Sequence, residues 1–466
     1  MRRSRIEKVG LIGLGLVAGV LVSLQFSAIA QKDMPTTLPV EELRAFSDVF
    51  GKIKSDYVEP VSDKKLITEA INGMLSGLDP HSAYLDPEAF KELQVSTQGE
   101  FGGLGIEVGM EDGLVKVVSP IEDTPAYHAG IKSGDLIVKL DDAVVKGMTL
   151  NDAVKRMRGK PGSKITLTVI RKGETKPLTF VITRAVIKVQ SVKSKLAENG
   201  YGYVRITQFQ EHTGENLATA LENLYKQNNG DLQGLVLDLR NDPGGLLTGA
   251  VGVSAAFLPK DALVVYTDGR TEDAKMRLTA SPENYLAGHG SNDYLKKLPA
   301  GIKTVPMVVL VNGGSASASE IVSGALQDHK RAVVMGTQTF GKGSVQTILP
   351  LGNNTAIKLT TARYYTPGGR SIQAKGIVPD IVVEDPSTAA LESALRLREA
   401  DLERHLSNDT QPEEKSEPAA KPTQGKPAPK SKGDTKPEPT EFGSKNDYQL
   451  NQALNLLKGM HILKGR

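Results

Sequence analysis

The sequence predicts a multi-domain α/β protein, and three observations carry that reading. Residues 200–385 interleave short apolar runs with segments of helical spacing, the pattern of a layered α/β fold. Residues 99–184 instead hold closely spaced strands punctuated by glycine turns, a β-rich module of small-domain size. Ahead of both, residues 38–98 have helical periodicity.

Composition narrows the function. The 466 residues leave room for two or three domains. Lys and Arg number 57 against 54 Asp and Glu, and a formal charge of +3 is too small to mark a nucleic-acid binder. Cysteine is absent, which excludes disulfides, thiolate catalysis and Cys-ligated zinc.

At the amino terminus, Arg2, Arg3, Arg5 and Lys8 precede an apolar stretch from Val9 to Phe26. Ala28-Ile29-Ala30 supplies an A-x-A cleavage pattern before Gln31. Residues 1–30 are expected to direct export as a cleaved signal peptide, or to remain as an anchor, since the apolar stretch approaches bilayer-spanning length. Either way the bulk of the chain is expected on the periplasmic side of a bacterial inner membrane.

Leu43, Phe46, Val49, Phe50, Ile53 and Tyr57 recur at helical spacing and predict an amphipathic helix over 40–57. A second helix is expected over 63–78. Asp79-Pro80-His81-Ser82 and Asp86-Pro87 read as turns, and His81 as a structural histidine. In the β-rich module, Gly99-Glu-Phe-Gly-Gly-Leu-Gly-Ile-Glu-Val108 is a glycine-rich loop entering a strand. Strands follow around 114–118, 136–140, 163–171 and 176–183, with a helix over 150–158.

Gly134-Asp135-Leu136-Ile137 with Gly130, Asn151-Asp152-Ala153-Val154, and Gly159-Lys-Pro-Gly162 before a strand resemble a PDZ domain of the bacterial protease type. That resemblance implies binding of a peptide carboxyl terminus as an added strand. The carboxylate would sit in the backbone N–H groups of Gly103, Leu104, Gly105 and Ile106. No helix follows that loop, so it is not a phosphate loop.

Beyond Gly200, strands are expected at 203–206, 235–239, 332–335, 345–349 and 356–365, with a helix over 213–227. Residues 268–300 read as a surface loop or lid. The most informative stretch is Pro306-Met-Val-Val-Leu-Val-Asn-Gly-Gly-Ser-Ala-Ser-Ala-Ser-Glu-Ile321. A buried strand passes through a glycine turn into a helix start bearing Ser315, Ser317 and Ser319. A hydroxyl there stands beside free helical N–H groups that suit a developing negative charge. Ser317-Ala-Ser-Glu320 equally fits a purely structural capping box.

None of the seven histidines sits in a triad motif, so a serine nucleophile needs another base. A buried lysine can serve if desolvation lowers its pKa by roughly three units. Lys342, between Gly341 and Gly343 with Phe340 and Val345 nearby, is the candidate. Gly336 to Lys342 matches a P-loop only in part, because Gly343 replaces the required Ser or Thr and a strand follows instead of a helix.

A PDZ-like module, then Asp238-Leu-Arg-Asn-Asp-Pro-Gly-Gly245, Gly314-Ser-Ala-Ser-Ala-Ser-Glu-Ile321 and Phe340-Gly-Lys-Gly-Ser-Val-Gln346 together resemble the carboxyl-terminal processing (tail-specific) serine proteases. The resemblance covers about residues 40–385. It implies a crotonase/ClpP-like protease core with an inserted PDZ domain, a Ser317 nucleophile, a Lys342 base and Gln346 orienting the lysine. An oxyanion hole would come from the N–H groups of Ala318 and Gly244. No metal, nucleotide or other cofactor is expected. Family resemblance further implies protein substrates with exposed carboxyl termini, self-association and a possible helical-repeat adaptor.

The expected organisation is a leader at 1–30, a helical region at 38–98, the PDZ domain at 99–184 and the protease core at 185–386. A helix at 387–406, a disordered Pro/Lys/Glu-rich linker at 407–445 and a terminal helix at 446–466 follow. The terminal helix and the helix at 40–57 are the expected surfaces for docking or self-association. Two other readings stand beside the protease: a catalytically silent PDZ scaffold, and an acyl-CoA enzyme of crotonase type. The second fits poorly with export and a PDZ module.

Overall fold

The computed structural model describes residues 39–121, 123–188, 190–286, 292–386, 397–410 and 442–464. The leader expected at 1–30 and residues 411–441 of the expected linker lie outside the described residues.

The chain divides into two units, residues 1–71 and 72–466. In the first, Val40–Asp56 is a helix whose first turn carries Glu41 and Glu42, the favourable sign for a helix start. Leu43, Phe46 and Val49, which recur at helical spacing, are exposed.

In the second unit, the Asp86-Pro87 pair read as a turn starts a helix, Pro87–Gln98. Asp86 accepts the N–H groups of Glu88 and Ala89, proline occupies the first turn, and Gly99 closes the far end at φ +73°. The PDZ module follows as a six-stranded sheet in the order Ile106–Glu111, Leu114–Pro120, Leu136–Leu140, Lys164–Ile170, Leu178–Thr183, with Ala143–Val144 paired to Leu136–Leu140. Its own core gathers Val115, Val117, Ile137, Leu140, Ile165 and Leu167. Buried Asp135 receives Arg171 at 2.7 and 2.8 Å, which accounts for the carboxylate in the Gly-Asp-Leu-Ile stretch. The module leaves and rejoins the core through one antiparallel ribbon, Glu100–Gly103 against Ala185–Lys188.

The core is a six-stranded sheet in the order Val192–Glu198, Tyr201–Ile206, Gly234–Asp238, Met307–Val311, Val333–Gly336, Ile381–Val382. Only the first pair is antiparallel. Gly234–Asp238 and Met307–Val311 are wholly buried, as parallel strands covered on both faces should be. On one face, the helices Thr213–Asn228, Leu247–Phe257 and Ala318–Asp328 bury Leu217, Phe257 and Val322 in the main core. A five-stranded sheet built on the long strand Ala356–Tyr365 also includes Ser344–Pro350, Leu263–Gly269, Arg277–Thr279 and Ala83–Leu85.

The other face is closed by the terminal helix Tyr448–Lys464, which buries Leu450, Leu454 and Leu457 against Tyr203, Val236, Val308 and Leu310. Burying each leucine contributes about 1.5–3 kcal/mol. The helix thus docks on its own body, and those side chains are not available for self-association.

Two expectations need correction. Residues 268–300 are more than a surface loop: Ala280 and Tyr285 are buried in the main core, and Arg277–Thr279 is a strand. Where described, the helix expected over 387–406 is not helical beyond one 3₁₀ turn, Glu399–Asp401, because Glu399 is drawn inward to polar partners.

Candidate active site

The strand Met307–Val311 ends at Asn312, whose side chain organises the turn that follows. Its Oδ1 accepts the N–H groups of Asn241 and Gly314 at 2.9 and 3.0 Å, and its Nδ2 donates to Asn241 Oδ1 at 2.8 Å. These bonds join the ends of two neighbouring parallel strands, where ligands bind in such sheets.

The three serines separate by environment. Ser315 is fully buried and donates to Leu239 O at 2.8 Å. Ser319 is fully buried and donates to Asp242 O at 3.0 Å. Both hydroxyls tie the two strand ends together. Ser317, between them, is only partly buried and sits at φ +55°, ψ −112°, as the residue preceding the helix Ala318–Asp328. That conformation is costly for a residue with a Cβ and persists only where its surroundings over-determine it.

One of those surroundings is Glu320. Its carboxylate is fully buried and accepts Ser317 N–H at 2.7 Å, Lys342 N–H at 3.0 Å, Gly341 N–H at 2.7 Å and Thr339 Oγ1 at 2.6 Å. The four donors favour its ionised form, but burial outweighs them and pushes the carboxyl up to about 7. The sequence showed Glu320 only as a capping-box residue. Its link to the 339–342 loop, some twenty positions away, is a tertiary fact.

Lys342 enters the same site from the loop before Ser344–Pro350. Burial draws its pKa down, Lys358 adds to that, and Glu399, Glu320 and Asp79 oppose it. Its carbonyl accepts the hydroxyl of Tyr364, a fully buried phenol that also has the Ser317 side chain as a hydrogen-bond partner. Among the described residues no hydrogen bond joins Lys342 Nζ to Ser317 Oγ. Gln346 departs from the expected role: its amide donates to Ser344 Oγ at 3.0 Å and to Ser344 O and Thr360 Oγ1 at 3.3 Å, so it is held along its own strand and the neighbouring one, not on the lysine.

Ala318 opens the helix, so its N–H has no intrahelical acceptor. Gly244, at φ +94°, lies so close that a Cβ there would be 2.7 Å from Ser317 Cβ and 2.8 Å from Ala318 N. Its N–H donates to Asp242 Oδ1 at 2.8 Å, so this expected oxyanion donor is already engaged. Asp242 is fully buried with no partner for Oδ2 among the described residues, and burial pushes it up to about 7. The turn is backed by Arg240, which is buried between Asp238 at 2.6 Å and Asp447 at 2.6 Å, with the Phe442 ring 4.2 Å from its guanidinium.

In the PDZ module, Gly103 ends the connecting ribbon and Leu104 is buried with its carbonyl on Ala126 N–H at 2.9 Å. Gly105 sits at φ +78°, and its carbonyl accepts Ile121 N–H at 2.9 Å and Thr124 Oγ1 at 3.1 Å. Ile106 starts the strand Ile106–Glu111, which occupies the edge of the sheet, the position required for adding a peptide strand.

Comparisons agree with this architecture. The family model for peptidase family S41 matches residues 200–383, that for the PDZ domain residues 102–182, and that for the activating protease CtpB N-terminal domain residues 20–89. The chain is 46% identical over 447 residues to a carboxy-terminal-processing protease of Bartonella bacilliformis, covering 95% of each. It is 36% identical over 383 residues to the carboxy-terminal processing protease CtpB of Bacillus subtilis, covering 80% of this chain and 75% of that one. Among solved structures it is similar to a photosystem II D1 C-terminal processing protease, at 29% identity, with 77% of this chain and 91% of that chain covered and a TM-score of 0.41. With such identity across nearly its whole length, the chain belongs to the carboxyl-terminal processing proteases, PDZ-containing serine peptidases of family S41.

Proposed function

We propose that this protease cleaves peptide bonds with a Ser317–Lys342 dyad through an acyl-enzyme, on substrates recruited by their carboxyl termini. The observation that carries the reading is the shared acceptor: Glu320 binds the N–H groups of both Ser317 and Lys342 and so draws the two segments to one point. Two further facts support it. Ser317 alone of the three serines is not buried against a backbone carbonyl, and burial favours the neutral amine of Lys342.

Neutral Lys342 takes the proton of Ser317 as Oγ attacks the substrate carbonyl carbon. The resulting oxyanion accepts from Ala318 N–H, and from Gly244 N–H once that donor leaves Asp242. Asp242 titrating near neutral pH makes the exchange easier, because a protonated carboxyl is the poorer acceptor. Collapse of the tetrahedral intermediate breaks the C–N bond, and the lysine ammonium gives its proton to the leaving amine. Lys342 then activates water against the ester, returning Ser317 to its starting state. Gln346, whose Nε2 is held by Ser344 and Thr360, would orient the lysine by accepting its N–H on Oε1.

The PDZ edge strand Ile106–Glu111 would add the substrate tail as a strand, with its carboxylate on the N–H groups of Gly103, Leu104, Gly105 and Ile106. Residues 1–30 would export the chain to the periplasmic side of a bacterial inner membrane. The exposed face of Val40–Asp56 would serve self-association or an adaptor. Labelling with a fluorophosphonate followed by peptide mapping tests the nucleophile: the adduct belongs on Ser317, and an adduct on Ser315 or Ser319 contradicts the assignment.

A further inference from the structure

The loop that carries Lys342 is held from two sides. Glu320 grips Thr339, Gly341 and Lys342. The second grip comes from residues beyond the core. Glu399, fully buried, donates its own N–H to Phe340 O at 3.1 Å. Its Oε1 accepts Gln373 Nε2 at 2.9 Å, and Gln373 Oε1 in turn accepts Gly343 N–H at 3.0 Å. A Cβ on Gly343 would lie 2.3 Å from Gln373 N, so the glycine is what lets the two backbones meet.

The Glu399 carboxylate is itself anchored by His81 Nε2, at 2.8 and 3.0 Å. His81 is fixed by Asp79, whose Oδ1 accepts its N–H at 2.8 Å. The segment around Glu399 is fastened independently: Arg398 Nη1 reaches Gln338 Oε1 at 3.3 Å, and Asn408 Nδ2 reaches Gln373 O at 2.7 Å. A hydrogen-bonded chain, half-buried at His81 and buried from Glu399 onward, therefore runs from Asp79 through the backbone and ring of His81 to Glu399, Gln373 and the residue next to Lys342.

We propose that Glu399 is a positioning residue for Lys342, acting through Gln373 and the Phe340 carbonyl, with His81 as its anchor. This rests on the reading of Lys342 as the base. Among the described residues no hydrogen bond or ion pair joins Glu399 to Ser317 or Lys342, so its effect is on where the lysine stands and on the charge it faces. The groups facing Lys342 are Lys358 on the strand Ala356–Tyr365, Glu320 on the helix Ala318–Asp328, Asp79 and Glu399. Those facing Glu399 are its hydrogen-bond partners His81 and Gln373, together with Lys342 and the Tyr364 phenol.

The test uses the full chain with Glu399→Gln, Gln373→Ala and Lys342→Ala, assayed on a short peptide over pH. Glu399→Gln keeps the size and the acceptor for Gln373 while removing the charge. Its acidic limb of kcat/KM is expected to move to lower pH, since one carboxylate that favours the lysine ammonium is gone. Gln373→Ala is expected to lower kcat by roughly tenfold or more with KM within about twofold, because the loop loses its second grip. An unmoved limb in Glu399→Gln, or native kcat in Gln373→Ala, overturns the inference. So does a kcat loss that goes only with a lowered unfolding temperature and leaves the limb in place. If Gln373→Ala does not fold, the pH profile of Glu399→Gln decides alone. Activity in Lys342→Ala sinks the base reading itself, whereas an inactive Lys342→Ala beside native-like Glu399 and Gln373 variants sinks only the positioning role.

Discussion

Ser317 and Lys342 hang from one carboxylate oxygen: Glu320 Oε2 accepts the N–H of the serine at 2.7 Å and of the lysine at 3.0 Å. The proposed nucleophile on one strand–helix turn and the proposed base on a separate loop are thereby brought together through their backbones. Removing that acceptor leaves buried donors unpaired, each costing about 1–3 kcal/mol. Glu320→Ala is expected to lower kcat by about 100-fold or more. It should also reduce the midpoint of urea unfolding, measured by far-UV circular dichroism. Native turnover in that variant would show that the shared acceptor is dispensable.

Stability should fall as pH rises through the range where two buried carboxyls ionise. Glu320 is pushed from 4.5 to about 7 and Asp242 from 3.8 to about 7. Both are raised in the folded chain, so the folded state binds more protons than the unfolded one between those values. Their contribution is fully present below the unfolded values and is lost as pH rises through about 7. Asp242→Asn removes one of these groups, and its unfolding temperature should depend less on pH between about 4 and 7 than that of the native chain. Equal slopes for the two proteins would refute the prediction.

Gly244 tolerates no side chain. At φ +94°, a Cβ would press on Ser317 Cβ and Ala318 N at 2.7 and 2.8 Å. Gly244→Ala is expected to cost about 100-fold or more in kcat, the scale seen when an oxyanion donor is lost. Steady-state kinetics checks this, and a loss confined to KM would argue against a role at the reacting carbonyl.

The serines flanking Ser317 should behave as structural groups. Ser315→Ala and Ser319→Ala each remove a buried hydrogen bond to a strand-end carbonyl, at about 0.5–1.5 kcal/mol. Both variants should be less stable to urea yet retain turnover, in contrast to Ser317→Ala.

Asp447 links the terminal helix to the turn after Gly234–Asp238. Burial alone would raise its pKa, but Arg240 holds it below the usual carboxylate range. Stability from this pair is present above the unfolded carboxylate value and is lost as pH falls through the lower folded one. Asp447→Ala leaves buried Arg240 with Asp238 as its carboxylate partner and Gln449 as a neutral acceptor, and is expected to destabilise the core by about 3–5 kcal/mol. Urea titration checks that, and a loss below about 1 kcal/mol would mean that Asp238 suffices for Arg240.

Much of the architecture was legible because it rests on local signals. The strands Leu136–Leu140 and Ala356–Tyr365 have the bounds that their apolar runs mark. The terminal helix follows the spacing of Leu450, Leu454 and Leu457, although which surface it covers was not readable from periodicity. Ser317 and Lys342 were singled out as candidates by glycine-flanked motifs. Their supporting groups did not, since Glu320, Tyr364, Gln373, Glu399 and His81 meet only across the fold. His81 looked like a turn residue and Glu399 like one of many charges on a helix, because a contact 318 positions apart leaves no mark in local pattern. Gln346 is the opposite case, a role taken from resemblance, while its Nε2 bonds to Ser344 and Thr360 tie it to its own strand and the neighbouring one.

The most direct measurement is cleavage of an unfolded reporter with an apolar carboxyl tail by the native chain, Ser317→Ala and Lys342→Ala. Cleavage is expected from the native protein and from neither variant, with native circular dichroism in all three. Cleavage that persists in folded Ser317→Ala or Lys342→Ala would contradict the dyad.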